Sequence, residues 1–168
     1  HSGHGKSTSS LSKSLGEPLN TSESEIEITY SADGNTAIFV SGRQGSVPSP
    51  GVPYHFDIWM AHKVKGEWQA PFNLGPGIDP AVGPNINTSA WELEPGLSDD
   101  GNAIYFTRYE PGNLSTGDLY VTQKLNGVWQ PARNWNEVPE LPHINTPTGE
   151  EHCPIIASDS LIYFNYQQ

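Results

Sequence analysis

Glutamates separated by one apolar residue occur at two repeat-equivalent places in this chain. Glu25 and Glu27 flank Ile26, and Glu92 and Glu94 flank Leu93. A third acidic group follows at Glu150, Glu151 and His152. Gathered carboxylates bind hard cations, which favour oxygen ligands. They also serve as an acid–base pair when crowding drives their pKa values apart. Glu92, Glu94 and His152 are therefore the candidate catalytic residues. Glu94, Glu150 and His152 are the candidate ligands of a divalent cation, calcium or zinc. The same alternation suits the solvated face of a strand, so three readings stay open at this point.

Imidazole and thiolate are transition-metal donors, which draws attention to His143, His152 and Cys153. Their spacing matches no ligand motif. Neighbours on a strand point to opposite faces, so His152 and Cys153 are not expected to share an ion. Cys153 reads as a small buried apolar residue. His152, on the same face as Glu150, is the residue expected to line a site. Trp91, Tyr54 and Tyr109 fall in loops or at loop edges. With Glu25, Glu27 and Glu150 they make a candidate sugar- or peptide-binding surface, or else they pack between repeated units.

Those residues sit in a repeated frame. WELEPGLSDDGNAIYF at 91–106 resembles SEIEITYSADGNTAIF at 24–39 and EEHCPIIASDSLIYF at 150–164. Upstream, Leu19-Asn20-Thr21, Ile86-Asn87-Thr88 and Ile144-Asn145-Thr146 recur. Downstream, Asp57-Ile58-Trp59 matches Asp118-Leu119-Tyr120, and Gly66-Glu67-Trp68-Gln69 matches Gly127-Val128-Trp129-Gln130. Each unit offers four short strands, with Asp-Gly expected to supply a tight two-residue hairpin between the first two. Lys65-Gly66 and Asn126-Gly127 do the same between the last two. Trp68 and Trp129 are suited to the space between neighbouring sheets. Arg43 and Arg108, at near-equivalent positions, are expected to pair structurally with Asp57 and Asp118. Asn and Thr of the upstream motif are expected to stabilise a crossing between units. The loop at 42–55 is an insertion in the first unit, and long loops on repeat scaffolds carry binding.

Lys and Arg total 8 against 19 Asp and Glu, a net charge of -11. That disfavours nucleic acid, which needs a basic surface, and an anionic membrane surface. There is no run of 18 apolar residues, so no membrane insertion is expected. The single cysteine excludes an intrachain disulfide. The 17 glycines and 15 prolines fit short strands and many turns better than long helices.

Four antiparallel strands per repeat mark a β-propeller, an all-β fold. SADGNTAIFVSGR followed by FDIWMAHKVKGEW, and LSDDGNAIYFTR followed by GDLYVTQKLNGVW, resemble the repeats of TolB-type (WD-like) β-propellers over roughly residues 18–168. The expected organisation is a disordered or tag-like segment at 1–17, blade one at 18–83, blade two at 84–141 and the first half of blade three at 142–168. Propellers close with four or more blades. A second chain segment, or a protein partner, is therefore expected to complete the ring. The resemblance implies that the strand before Asp-Gly is innermost, and a periplasmic or secreted setting in a bacterial envelope. Two functions follow as expectations. The first is non-catalytic binding of a protein, carbohydrate or small molecule. The alternative is a propeller hydrolase or lyase acting on carbohydrate or a small ester, possible metal assistance included.

Overall fold

The structure is a computed structural model that describes residues 15–51, 55–75, 86–158 and 161–167. Tyr54 and residues 1–14 of the N-terminal segment lie outside the described residues, as do 52–54 of the inserted loop. The protein is all-β, with curled antiparallel sheets. Among the described residues the helical content is one 3-10 turn, Trp135–Glu137.

The first unit runs β1 (Glu25–Tyr30), β2 (Thr36–Ser41), β3 (Asp57–Val64), β4 (Glu67–Trp68) and β5 (Phe72–Asn73). The second runs β6 (Trp91–Leu97), β7 (Ala103–Glu110), β8 (Asn113–Leu125), β9 (Val128–Trp129) and β10 (Arg133–Asn134). β11 (Glu150–Ser158) and β12 (Leu161–Gln167) form a third hairpin. In the first unit β1, β2 and β3 are consecutive antiparallel neighbours, and both β4 and β5 pair with β3. The second unit repeats this, with β9 and β10 both on β8. The expected fourth strand is thus present but split. Pro71 and Pro131 lie in the gaps, where a residue without an N–H cannot extend the ladder.

The turns separate two chemistries. Lys65 (φ 53°) and Gly66 (φ 85°) both have positive φ, as do Asn126 (φ 51°) and Gly127 (φ 82°). These are the tight two-residue hairpins expected for the third-to-fourth connection. The Asp-Gly connections are wider than expected. The Gly34 N–H donates to the Ser31 carbonyl, and the Ser31 N–H to the Thr36 carbonyl, so four residues lie between the closing pair. Asp33 accepts from the Ser31 hydroxyl and from the Asn35 main-chain and side-chain N–H groups. Those bonds hold its carboxyl down at about 2. Asp100 repeats the arrangement with Ser98 and Asn102. Asp serves here as an acceptor, and only the glycine takes up positive φ.

Sheet faces pack on sheet faces. Ile38, Val40, Ile58 and Met60 of the first unit meet Leu97, Ile104, Phe106 and Trp129 of the second in one buried cluster. Leu119, Val121 and Trp135 of the second unit meet Ile162 and Phe164 of the third hairpin in another. Trp129 is 3% exposed, and burying a side chain of this kind contributes on the order of 1.5–3 kcal/mol. It therefore fills the space between sheets, as expected. Trp68, its counterpart, packs on the opposite outer face with Leu19, Phe39 and Trp59. Beside it Ile26, Ile28 and Tyr30 stay exposed.

Asparagines clasp successive units. The Asn87 side chain accepts from the Ile58 N–H and donates to the Ile58 carbonyl and to Asn73. Asn145 does the same to Leu119 and Asn134. Asn73 and Asn134 in turn donate to Asp57 and Asp118. Asp57 is fully buried, and desolvation pushes its carboxyl up to about 6 despite the Asn73 and Val47 hydrogen bonds. The described part of the inserted loop belongs to the same clasp. Val47 donates its N–H to Asp57, and the Gly45 carbonyl accepts from Asn73.

Candidate functional site

The first strands of the three units lie side by side, β6 against β1 and β11 against β6. All three are bulged, with register breaks after Ile26, Leu93 and His152. At each bulge one non-glycine residue takes a left-handed backbone: Glu27 (φ 56°), Glu94 (φ 56°) and Cys153 (φ 55°). Such values are uncommon for these residue types, and their recurrence at one repeat position makes the bulge a built feature.

The bulge divides the acidic positions into two sets. Glu25, Glu92 and Glu151 form the first. Each accepts the N–H and hydroxyl of the upstream threonine, Thr21, Thr88 or Thr146. Arg43 bridges Glu25 at 3.2 Å, and Arg108 bridges Glu92 at 2.8 Å. The guanidinium groups also donate to the Leu19 and Ile86 carbonyls. The arginines thus pair with glutamates, and the expected Asp57 and Asp118 partners are taken by asparagines. Glu92 and Glu151 are fully buried. Desolvation pushes Glu92 up to about 7, outweighing Arg108 and Thr88. Thr21, Ser41 and Arg43 outweigh burial at Glu25 and hold it below its ordinary value.

Glu27, Glu94 and Cys153 form the second set, and they line a groove of about 370 Å³. Ile28, Thr29, Pro95, Leu97, Pro154 and Ile155 also line it, with the Gly96 backbone between Pro95 and Leu97. A ladder of main-chain bonds ties the three together. The Glu94 N–H donates to the Glu27 carboxylate at 2.6 Å, and the Cys153 N–H donates to the Glu94 carboxylate at 2.7 Å. Glu94 Oε2 also accepts from Thr107 Oγ1 at 2.7 Å and from the Tyr109 hydroxyl at 3.2 Å. Glu94 Oε1 faces His152 Nδ1 at 3.4 Å, and Cys153 Sγ lies 3.3 Å from the same nitrogen. One ligand atom from each of Glu94, His152 and Cys153 falls within 4.8 Å of the others.

The local electrostatics follow from this crowding. Burial alone would raise Glu94, but the Thr107 and Cys153 hydrogen bonds and nearby His152 outweigh it and hold it below its ordinary value. Glu27 is raised by desolvation and by the Glu94 charge. The Cys153 thiol is pushed up to about 12 by burial, by Glu94 and by Glu27. Tyr109 is raised by burial and by Glu94.

The expected site residues are thereby redistributed. Glu27, Glu94 and His152 come together. Glu25 and Glu92 are consumed by the Thr and Arg contacts, so Glu92 does not line the groove. Glu150 is not among the grouped donors, and the repeat equivalent of Glu92 is Glu151. Tyr109 is 3% exposed, within β7, and donates its hydroxyl to Glu94. Trp91 packs edge-on against Phe56 at 6.1 Å between centroids, which makes it a packing residue between units. Cys153, expected to turn away from His152, turns toward it because its left-handed backbone breaks the strand alternation. A signal for this was available: Glu94-Pro95 and Cys153-Pro154 match when the units are aligned on proline. No protein-family model matches this sequence, and no curated protein matches it.

Proposed function

We propose that this chain is a non-catalytic binding module of β-propeller architecture, related to the TolB-type repeats and exported to the bacterial envelope. Its ligand surface is the groove between the first strands. The observation that carries this reading is the placement of Glu27, Glu94 and Cys153 at one repeat position, on three bulges that converge on one groove. Repeat-equivalent residues gather in this way when units are arranged around an axis. The outward face of the first unit supports the same arrangement. Trp68 corresponds to buried Trp129, so a further unit packed there would cover Trp68, Ile26 and Tyr30.

The groove joins two carboxylates to an apolar wall of Ile28, Leu97, Pro154 and Ile155. That pattern suits a cationic segment with apolar neighbours, such as a lysine-containing peptide loop of a protein partner. Binding is favoured over hydrolysis because Glu92, the natural second carboxylate of an acid–base pair, is buried against Arg108. The test is a fluorescence titration of chelator-treated protein with a short Lys/Leu peptide and with its Glu/Leu counterpart. The Lys peptide is expected to bind, to weaken with salt, and to lose about tenfold in affinity, roughly 1.4 kcal/mol, in Glu27→Gln. Equal binding of both peptides, or none, would overturn the reading.

A further inference from the structure

We propose that Glu94, His152 and Cys153 form a zinc site at the end of the groove, with Glu94 Oε1, His152 Nδ1 and Cys153 Sγ as ligands. The inference stands on these three side chains and does not need the peptide reading. The spacing is the first observation. The edges of a tetrahedral zinc site built from thiolate, imidazole and carboxylate bonds are about 3.3–3.6 Å. The nitrogen-to-oxygen separation here is 3.4 Å, and the sulfur-to-nitrogen separation is 3.3 Å.

The second observation is how Glu94 is held. Its Oε2 takes the Cys153 N–H, the Thr107 hydroxyl and the Tyr109 hydroxyl. Three donors on one oxygen fix the carboxylate plane and leave Oε1 turned toward His152. Outer hydrogen bonds of this kind orient metal ligands. The third is the backbone of Cys153. Its φ of 55° sets the thiol beside the preceding imidazole, where a regular strand would separate them.

The donor set chooses the metal. Calcium takes six to eight oxygens, so it does not suit sulfur and nitrogen donors. One thiolate, one imidazole and one carboxylate suit zinc. Binding releases the Cys153 proton to solvent and places a divalent charge between Glu94 and Cys153, with Glu27 close by. Because Glu94 and Cys153 both line the groove, the fourth position opens toward it. A water or a donor atom from a groove ligand takes that position.

The test begins with chelator-stripped wild-type protein titrated with zinc, with folding checked by circular dichroism. One zinc per chain is expected. Cobalt(II) in place of zinc should give a near-ultraviolet thiolate-to-metal charge-transfer band, absent in Cys153→Ser. Thr107→Val should retain the band with affinity lower by about tenfold or more, because it removes only an outer contact. Zinc should also slow alkylation of Cys153 in the wild-type protein, a readout that needs no variant. His143→Ala, at an exposed position outside the groove, should change none of these. Absence of stoichiometric zinc from folded protein would overturn the site, as would a cobalt complex without the thiolate band or alkylation indifferent to zinc. The peptide titration is done without metal, so either proposal can fail while the other stands.

Discussion

Glu92 and Glu94 stand two residues apart on β6, and the fold uses them for opposite purposes. Glu92 is fully buried, bound by Thr88 and bridged to Arg108 at 2.8 Å. Glu94 sits past the bulge, lines the groove and carries three donors on one oxygen. The same contrast holds between Glu25 and Glu27, and between Glu151 and Cys153. Repeat-equivalent positions at identical spacing thus divide into a clasp that joins units and a groove. The left-handed residue makes the division, because the bulge breaks the strand alternation there and re-aims one side chain.

Removing the clasp carboxylate should give the largest effect. Glu92→Ala leaves Arg108 and both Thr88 donors without their partner, and breaking a buried ion pair from one side costs about 3–5 kcal/mol. Glu94→Ala should cost under about 2 kcal/mol, because water reaching the groove can replace the lost acceptor. Paired chemical denaturation curves check the ordering. Equal losses would erase the distinction between clasp and groove.

The asparagine clasps should rank next. Asn87→Ala strips the Ile58 N–H and carbonyl of their partner in a fully buried setting. A loss of about 2–3 kcal/mol is expected, at the upper end for buried groups left unsatisfied. Asn145 makes the equivalent bonds at a half-buried position, so Asn145→Ala should cost less. Asp57, behind the first clasp, adds a pH dependence. Its folded value of about 6 lies above the ordinary 3.8. The folded state therefore binds the proton more tightly, and this stabilisation is complete below about pH 4 and lost as the pH rises through about 6. Glu92, at about 7 against 4.5, acts in the same direction. Thermal melts across that window should show Tm falling with rising pH, and Asp57→Asn should flatten the fall. A slope steeper in the variant would reject the assignment.

Much of this frame was legible in the residues. Lys65-Gly66 and Asn126-Gly127 encode their turns through the conformations those positions demand, and Trp129 marks the space between sheets. The asparagine of the Leu/Ile-Asn-Thr motif announced a crossing between units. The groove was harder to read, for two physical reasons. Positive φ at Glu27, Glu94 and Cys153 carries no glycine to advertise it, so strict alternation placed Cys153 on the wrong face. The third unit also carries one extra residue between Thr146 and Glu151 compared with Thr88 and Glu92. That shift made Glu150 and His152 look like the counterparts of Glu92 and Glu94. Gly149 absorbs the extra residue where a Cβ would collide with Tyr166, Thr146 and Glu151. Arg43 and Arg108 misled for a related reason. They reach the same glutamate position from backbone positions two residues out of step, Arg108 opposite Glu92 and Arg43 two beyond Ser41.

The mildest version of the comparison lies in the first unit, where an amide can replace each carboxylate without changing its shape. Glu25 accepts from Thr21 on both oxygens and from Ser41 and Arg43 on one. The Glu25→Gln substitution would turn an NH₂ toward one set of these donors and remove the charge facing Arg43. It should therefore destabilise, by about 1 kcal/mol given the partly exposed setting. Glu27 accepts one main-chain N–H, from Glu94, and an amide oxygen can keep that bond. Glu27→Gln also removes a negative charge from the neighbourhood of Glu94, whose repulsion helps raise Glu27. Its stability should be unchanged or slightly higher, and the gain should shrink in high salt as screening removes the repulsion. Denaturant midpoints at low and high salt measure both variants. A destabilised Glu27→Gln with an unaffected Glu25→Gln would exchange the two roles, placing the clasp on the groove side of the bulge.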